Sequence, residues 1–165
     1  MGLNEDLERL ALQEHELLLP RLDFELAWNL GVLLRTMAVE RGLAVVIDVR
    51  RFGQPLFYAA LDGTTPDNAE WVRRKSNVVT RFHRSSYAVG LGLEKKNTSL
   101  TESQGLTLAD YATHGGSFPL HVSGAGAVGS ATVSGLPQRA DHELVVEALC
   151  ALLGRDYAAL KLTAE

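Results

Sequence analysis

What this sequence lacks narrows it first. There is one cysteine, Cys150, in 165 residues, so no intramolecular disulfide is available and the chain suits a reducing compartment. Its place on the apolar side of the last long helix predicts a buried packing residue. The five histidines, His15, His83, His114, His121 and His142, show no i, i+4 pair and no cysteine partner, so no metal site is expected. No apolar run is long enough for a membrane span. The first residues, Met-Gly-Leu-Asn-Glu-Asp, lack the basic head and apolar core of a secretory signal, and a cytoplasmic location is the expectation. Positive charge is also short: the net charge is −4, which argues against general nucleic-acid binding, since that needs a concentrated positive field. Repeats, low-complexity tracts and linkers are missing as well.

What is present describes one globular domain, 1–165. Hydrophobic residues are 46% and charged residues 22%, close to the average for soluble proteins, and the length supports a sizeable core. Asn4, Glu5 and Asp6 predict the start of a first helix ending near His15, before a short edge strand within Glu16 to Leu19. Asp23 caps a second helix with the buried stripe Ala27, Leu30, Leu34, Met37 and Ala38, stopped by Gly42. Leu43 to Val49 reads as a central strand, Arg50 to Pro55 as a turn, and Leu56 to Leu61 as the returning strand.

Thr65 and Pro66 open another helix, with Trp71, Val72, Val78, Val79 and Phe82 on its apolar stripe. Ser85 or Ser86 caps a helix to about Lys96. The segment 97–105 reads as irregular or a single turn. Phe118 to Val122 and Ala127 to Ser134 form a glycine-linked hairpin. Asp141, His142 and Glu143 open a final helix that Gly154 stops, with a further turn or two from Asp156 to Leu162.

Several motifs invite a functional reading. Gly124-Ala-Gly126-Ala-Val-Gly129 matches the dinucleotide fingerprint letter by letter, but the fingerprint needs a helix directly after the glycines, and a strand follows here. The match is a glycine hairpin. Lys75 falls on the core-facing stripe between Trp71 and Val78. A desolvated ammonium needs a partner or an anion; alternatively, its stem packs while the charge snorkels to the rim. His114-Gly-Gly-Ser117 sets a titratable imidazole beside flexible backbone that can shape an anion cradle. In Ser134-Gly-Leu-Pro137, a strand end meets a helix start, but Asp141 and Glu143 would oppose an anion there and read more simply as capping residues. Positive charge gathers between Arg50 and Arg84, where Arg50 and Arg51 could clamp a carboxylate or phosphate bidentately. A hydrolase-like triad can be assembled on paper from these serines, histidines and aspartates, but no G-x-S-x-G context supports it.

Four stretches together resemble a known family: Val46-Ile-Asp-Val-Arg-Arg-Phe-Gly-Gln-Pro, the helix with Arg74-Lys75, Gly115-Gly-Ser-Phe-Pro-Leu, and Val128-Gly-Ser-Ala-Thr-Val-Ser-Gly-Leu followed by Asp141-His-Glu. They are similar to the haem-degrading domain family, also called GlcG/HbpS-like, and within it to a cytosolic branch found in bacteria and fungi. The resemblance covers nearly the whole chain. It implies an α/β fold of the α+β type, with a central antiparallel sheet flanked by helices in a profilin-like, three-layer architecture, and assembly into homo-oligomers. The family's helix lysine maps to Lys75, its glycine-rich strand entry to Gly115, Gly116 and Pro119, and its strand-to-helix signature to Gly129, Val133, Ser134, Gly135 and Asp141. Haem follows from the resemblance alone, because no haem ligand of the secreted relatives maps to a residue here.

The expected function is binding of a small anionic or planar ligand by Arg50, Arg51, Phe52, Lys75, Tyr111, His114, Gly115, Gly116, Ser117 and Pro119. An assembly or interaction module without catalysis is the alternative. A lyase or hydrolase using His114, or Lys75, as a catalytic group is a third.

Overall fold

The computed structural model describes residues 2–164. Its centre is a five-stranded sheet in the spatial order β1-β4-β5-β2-β3, formed by β1 (Leu18–Leu19), β2 (Val46–Arg51), β3 (Gln54–Ala60), β4 (Ser117–Val122) and β5 (Gly126–Ser134). All neighbours run antiparallel except the two-residue β1, which lies parallel to β4, so the sheet is mixed. The helices are α1 (Leu3–Glu16), α2 (Phe24–Glu40), α3 (Pro66–Phe82), α4 (Ser86–Lys95), α5 (Leu100–Gln104), α6 (Gln138–Leu153) and α7 (Tyr157–Leu160).

The two sheet faces differ in chemistry, and this positions everything else. Period-two alternation sends Ile47, Val49, Phe118, Leu120, Ala131 and Val133 to one face, where they join the apolar stripes of α2 and α6 in the main core. Each large apolar side chain buried there is worth about 1.5–3 kcal/mol. The opposite set contains the buried polar residues Asp48, Ser117, Ser130, Thr132 and Ser134, under α3. Ser117 Oγ lies 2.8 Å from Thr132 Oγ1, and the Arg50 guanidinium donates two bonds, of 2.7 and 2.8 Å, to the Asp48 carboxylate, while the Ser130 hydroxyl is buried without a partner among the described residues. A sheet face of small polar residues lets α3 turn Lys75 and Ser76 inward as well as Val72, Val78 and Val79.

Local signals explain most element boundaries. The Asp23 carboxylate accepts the Leu26 N–H at 2.8 Å, which starts α2. Pro66 occupies the first turn of α3, where its missing N–H costs nothing. Gly154 takes the left-handed conformation that stops α6. Three boundaries move from their expected places. Asn4 lies inside α1, which Gly2 caps. Arg50 and Arg51 belong to β2, which leaves Phe52 and Gly53 as the turn. Helix α6 begins at Gln138, three residues before Asp141.

A cavity floored by a lysine–aspartate pair

Helix α3, the end of β5 and the start of α6 meet around an open cavity of about 230 Å³ lined by Asn68, Trp71, Lys75, His114, Ser134, Gly135, Leu136, Gln138 and Asp141. Lys75 is 3% exposed. Its Nζ donates to Asp141 Oδ2 at 3.0 Å and to the Val133 carbonyl at 3.3 Å. The lysine therefore does not snorkel: α3 faces a polar layer with a carboxylate at its end, so its charge finds a partner inside.

Asp141 is not an end-cap of the usual kind. It is buried, and besides Lys75 it accepts the backbone N–H of Leu136 at 2.9 Å and of Gly135 at 3.4 Å. The backbone donors that made 134–137 look like an anion site are thus taken up by the chain's own carboxylate. Glu143 plays a different part, accepting the Tyr157 hydroxyl at 2.5 Å and the Leu162 N–H at 2.9 Å, which ties α7 to α6.

Burial pushes the Lys75 ammonium below its usual pKa and the Asp141 carboxyl above its own, and the attraction between the two charges partly opposes both shifts. Each group is driven towards its uncharged form. The His114 imidazole is lowered as well, first by partial burial and then by the charges of Lys75 and Arg74. At neutral pH it is therefore an uncharged donor and acceptor on the exposed rim.

The remaining walls come from specific contacts. The ring of Trp71 meets that of His114 edge-on, with centroids 5.0 Å apart, and the Arg74 guanidinium sits 4.5 Å from the Trp71 ring centroid. Arginines on α3 clamp the 107–113 segment and so fix His114. Arg74 donates to the Leu108 carbonyl at 2.9 Å, and Arg73 donates to the Ala109 carbonyl at 2.9 Å and to Asp110 at 3.0 Å. The Asn68 and Gln138 amides accept the N–H groups of Thr65 and Gly115 at 2.9 and 3.1 Å. With their oxygens engaged, what they offer the cavity is N–H.

The residues named from sequence divide into two groups. Lys75 and His114 line the cavity. Gly115 and Gly116 lie directly behind it: a Cβ on Gly116 would fall 2.4 Å from the Val133 carbonyl oxygen and 2.8 Å from Lys75 Nζ. The others stand elsewhere.

Arg50 is spent on Asp48, Arg51 rests on the Phe24 ring at 4.8 Å, and Phe52 stacks on His83 beyond the end of α3. These three are carried past the site because β2 continues through Arg51. Tyr111 packs against the small cluster of Val78, Val89 and Leu100. Ser117 is fully buried and binds α4 through the Ser86 hydroxyl. Pro119 pairs with Ser130 in β4, at a position that β1 does not reach, so its missing N–H breaks no ladder bond there. Sequence reading missed Asn68, Gln138 and the true partner of Lys75. The charge of Asp141 was visible, but nothing in its spacing pairs it with a lysine 66 residues away.

The fold and site define a class: a single-sheet α/β domain of three layers whose cavity is floored by a buried amine–carboxylate pair. The chain belongs to the family described as haem degrading protein HbpS-like, whose model matches residues 22–150. It is 64% identical over 162 residues to a UPF0303 protein of Acidobacterium capsulatum, covering 98% of both chains, and 58% identical to one of Paraburkholderia phymatum with the same coverage. Among solved structures it is similar to the Ybr137w protein, with a TM-score of 0.84 and 27% identity over 93% of this chain and 92% of that one. Its fold is also that of HbpS, with a TM-score of 0.64 and 23% identity over 82% and 92% of the two chains. A further likeness of fold is to a structure titled as a PduOC:Heme complex, with a TM-score of 0.68 and 15% identity over 79% and 94%.

Proposed function

We propose that this protein binds a small anionic or planar ligand in the cavity over Lys75 and Asp141. The observation that carries the reading is a buried amine facing an open cavity with one ionic partner and one backbone carbonyl. An ammonium has three N–H donors, and a ligand oxygen can take the third. The amide N–H groups of Asn68 and Gln138 add donors at the rim, and the Trp71 ring offers an apolar wall.

The family name brings haem into consideration, but the cavity favours something smaller. Small-molecule sites generally begin at about 300 Å³, above the roughly 230 Å³ found here. A haem site also needs an axial ligand beside an apolar slot for the macrocycle. His114 could supply a nitrogen, yet the floor beneath it is a charged pair. The residues of this cavity do not fit a porphyrin.

Thermal unfolding across small carboxylates, nucleotides, flavins and haem tests the proposal, since a ligand that binds only the native state raises its stability by about 2.7 kcal/mol at 100 times Kd. A rise with a small anionic or planar compound that is lost in Lys75→Met is expected. The reading fails if none of them raises the midpoint, or if Lys75→Met responds like the unaltered protein.

A second observation favours self-association. Phe24, Trp28, Val32 and Val39 are 61%, 57%, 41% and 53% exposed, and their spacing puts them on one stripe of α2. The neighbouring β3, whose Phe57 packs against Trp28, has an outer edge that is unpaired in the described sheet. A strand edge and an apolar stripe side by side are self-complementary about a twofold axis. A second copy of this chain is therefore the occupant we propose.

A further inference from the structure

We infer that Lys75 is an amine nucleophile which forms an imine with a small carbonyl compound entering the cavity, with Asp141 moving the protons. The inference rests on the cavity being a ligand site, and goes beyond it by assigning a covalent step.

Three observations converge on this amine. The other lysines, Lys95, Lys96 and Lys161, are exposed, whereas Lys75 is withdrawn from solvent and lines the cavity. Lys75 is buried against a carboxylate 3.0 Å away, a distance across which a proton can pass, and burial drives both partners towards their neutral forms. Finally, the backbone of Gly116 comes up close behind the amine, where a Cβ would fall 2.8 Å from Nζ, so the amine sits between that backbone and the cavity it lines.

The chemistry balances without an outside oxidant or cofactor. Asp141 takes the ammonium proton, and the freed Nζ lone pair attacks the carbonyl carbon. A C–N bond forms, the C=O π pair moves to oxygen, and the proton on Asp141 neutralises it. The nitrogen, now carrying two protons and a positive charge, returns one of them to Asp141; Asp141 delivers it to the hydroxyl, which leaves as water while the nitrogen lone pair forms the C=N bond, so that a protonated imine on Lys75 stands beside the Asp141 carboxylate. The neutral imidazole of His114 and the amides of Asn68 and Gln138 stand at the rim to receive that water or a carboxylate on the substrate. A short aldehyde or 2-oxo acid fits a cavity of about 230 Å³.

The test is reductive trapping. The full chain is incubated at neutral pH with pyruvate, or with propanal as an uncharged probe, plus cyanoborohydride, and adducts are mapped by peptide mass. One adduct, on the peptide carrying Lys75, is expected, with the exposed lysines modified at least about tenfold less. Asp141→Asn should slow trapping by about a hundredfold, the low end of the range for proton-transfer groups; its fold is checked by thermal unfolding, and if it does not fold, the map of the unaltered protein still decides. Adducts spread over all four lysines, or none at Lys75, overturn the inference. Lactate, which has no carbonyl to attack, separates the two readings. If lactate stabilises the protein but pyruvate is not trapped, binding stands and the imine falls. If propanal is trapped at Lys75 while no anion stabilises the protein, the imine stands and the anionic ligand falls.

Discussion

His142 is the residue whose environment most constrains the fold's response to pH. It is fully buried, with its Nε2 2.7 Å from Gln13 Oε1. Gln13 in turn donates its amide to the Leu160 carbonyl at 2.9 Å, so its oxygen accepts and the imidazole is the tautomer protonated at Nε2. Burial, followed by the charge of Arg139, pushes the imidazole down to about 3. The native state thus binds fewer protons than the unfolded chain between that value and the ordinary 6.5. His142 contributes full stability above 6.5 and loses it as pH falls, by about 1.4 kcal/mol per pKa unit. Glu14, raised by burial to about 7, acts in the opposite sense and favours the native state as pH drops from 7 to 4.5. The unfolding midpoint should therefore fall most steeply below 4.5. Subtracting the pH profile of His142→Gln, which retains an amide donor for Gln13, should remove the imidazole's share of the fall.

The buried pair makes the second prediction at this scale. Removing one partner leaves an uncompensated charge or a forced neutralisation, so Lys75→Met should cost about 3–5 kcal/mol in denaturant unfolding. Lys75→Met combined with Asp141→Leu should recover part of that loss, because a well-packed apolar pair escapes the desolvation penalty. A double variant no more stable than the single would show that the Leu136 and Gly135 N–H groups depend on Asp141 as much as Lys75 does.

Among the elements, α2 shows how packing overrides propensity. Gly31 lies in the middle of the helix, where alanine is ordinarily better by about 1 kcal/mol. Here a Cβ would sit 2.1 Å from the Phe57 ring, because β3 lays Phe57 across the helix, with Trp28 edge-on at 5.2 Å. Gly31→Ala should therefore destabilise by about 1–3 kcal/mol through overpacking, and Phe57→Leu in the same chain should offset much of it. Thermal midpoints of the single and double variants decide this, and additive losses would sink the explanation. Helix α3 makes the converse point: its arginines Arg73 and Arg74, which from sequence are only part of the positive charge gathered between Arg50 and Arg84, are what fasten the 107–113 segment and set His114 beside Trp71.

At the scale of the whole molecule, the chain ends are tied to the core. The Arg139 guanidinium reaches Asp6 at 2.8 Å and the Thr163 carbonyl at 2.6 Å, joining α6 to α1 and to the segment after α7. What remains unmatched is the outer stripe of α2 beside β3. If it seats a second copy, Trp28→Asp should convert the assembly to monomer in light scattering without lowering the monomer's helical content. A mass unchanged by that substitution would place any assembly elsewhere.

The sequence by itself determined the number and type of the main elements, the apolar stripes of α2 and α6, the hairpin that rules out a dinucleotide fold, and the family. These are encoded by periodicity, caps and glycines that act within a few residues of one another. It also marked Lys75 and His114 as unusual. Tertiary structure alone decided what they meet. Pairing Lys75 with Asp141 depends on α3 and α6 converging at the end of β5, and the parting of Arg50, Arg51 and Phe52 from the site depends on how far β2 runs. Such contacts join residues far apart in the chain. Their energies come from burial that exists only after the layers have closed, so no local pattern can carry them.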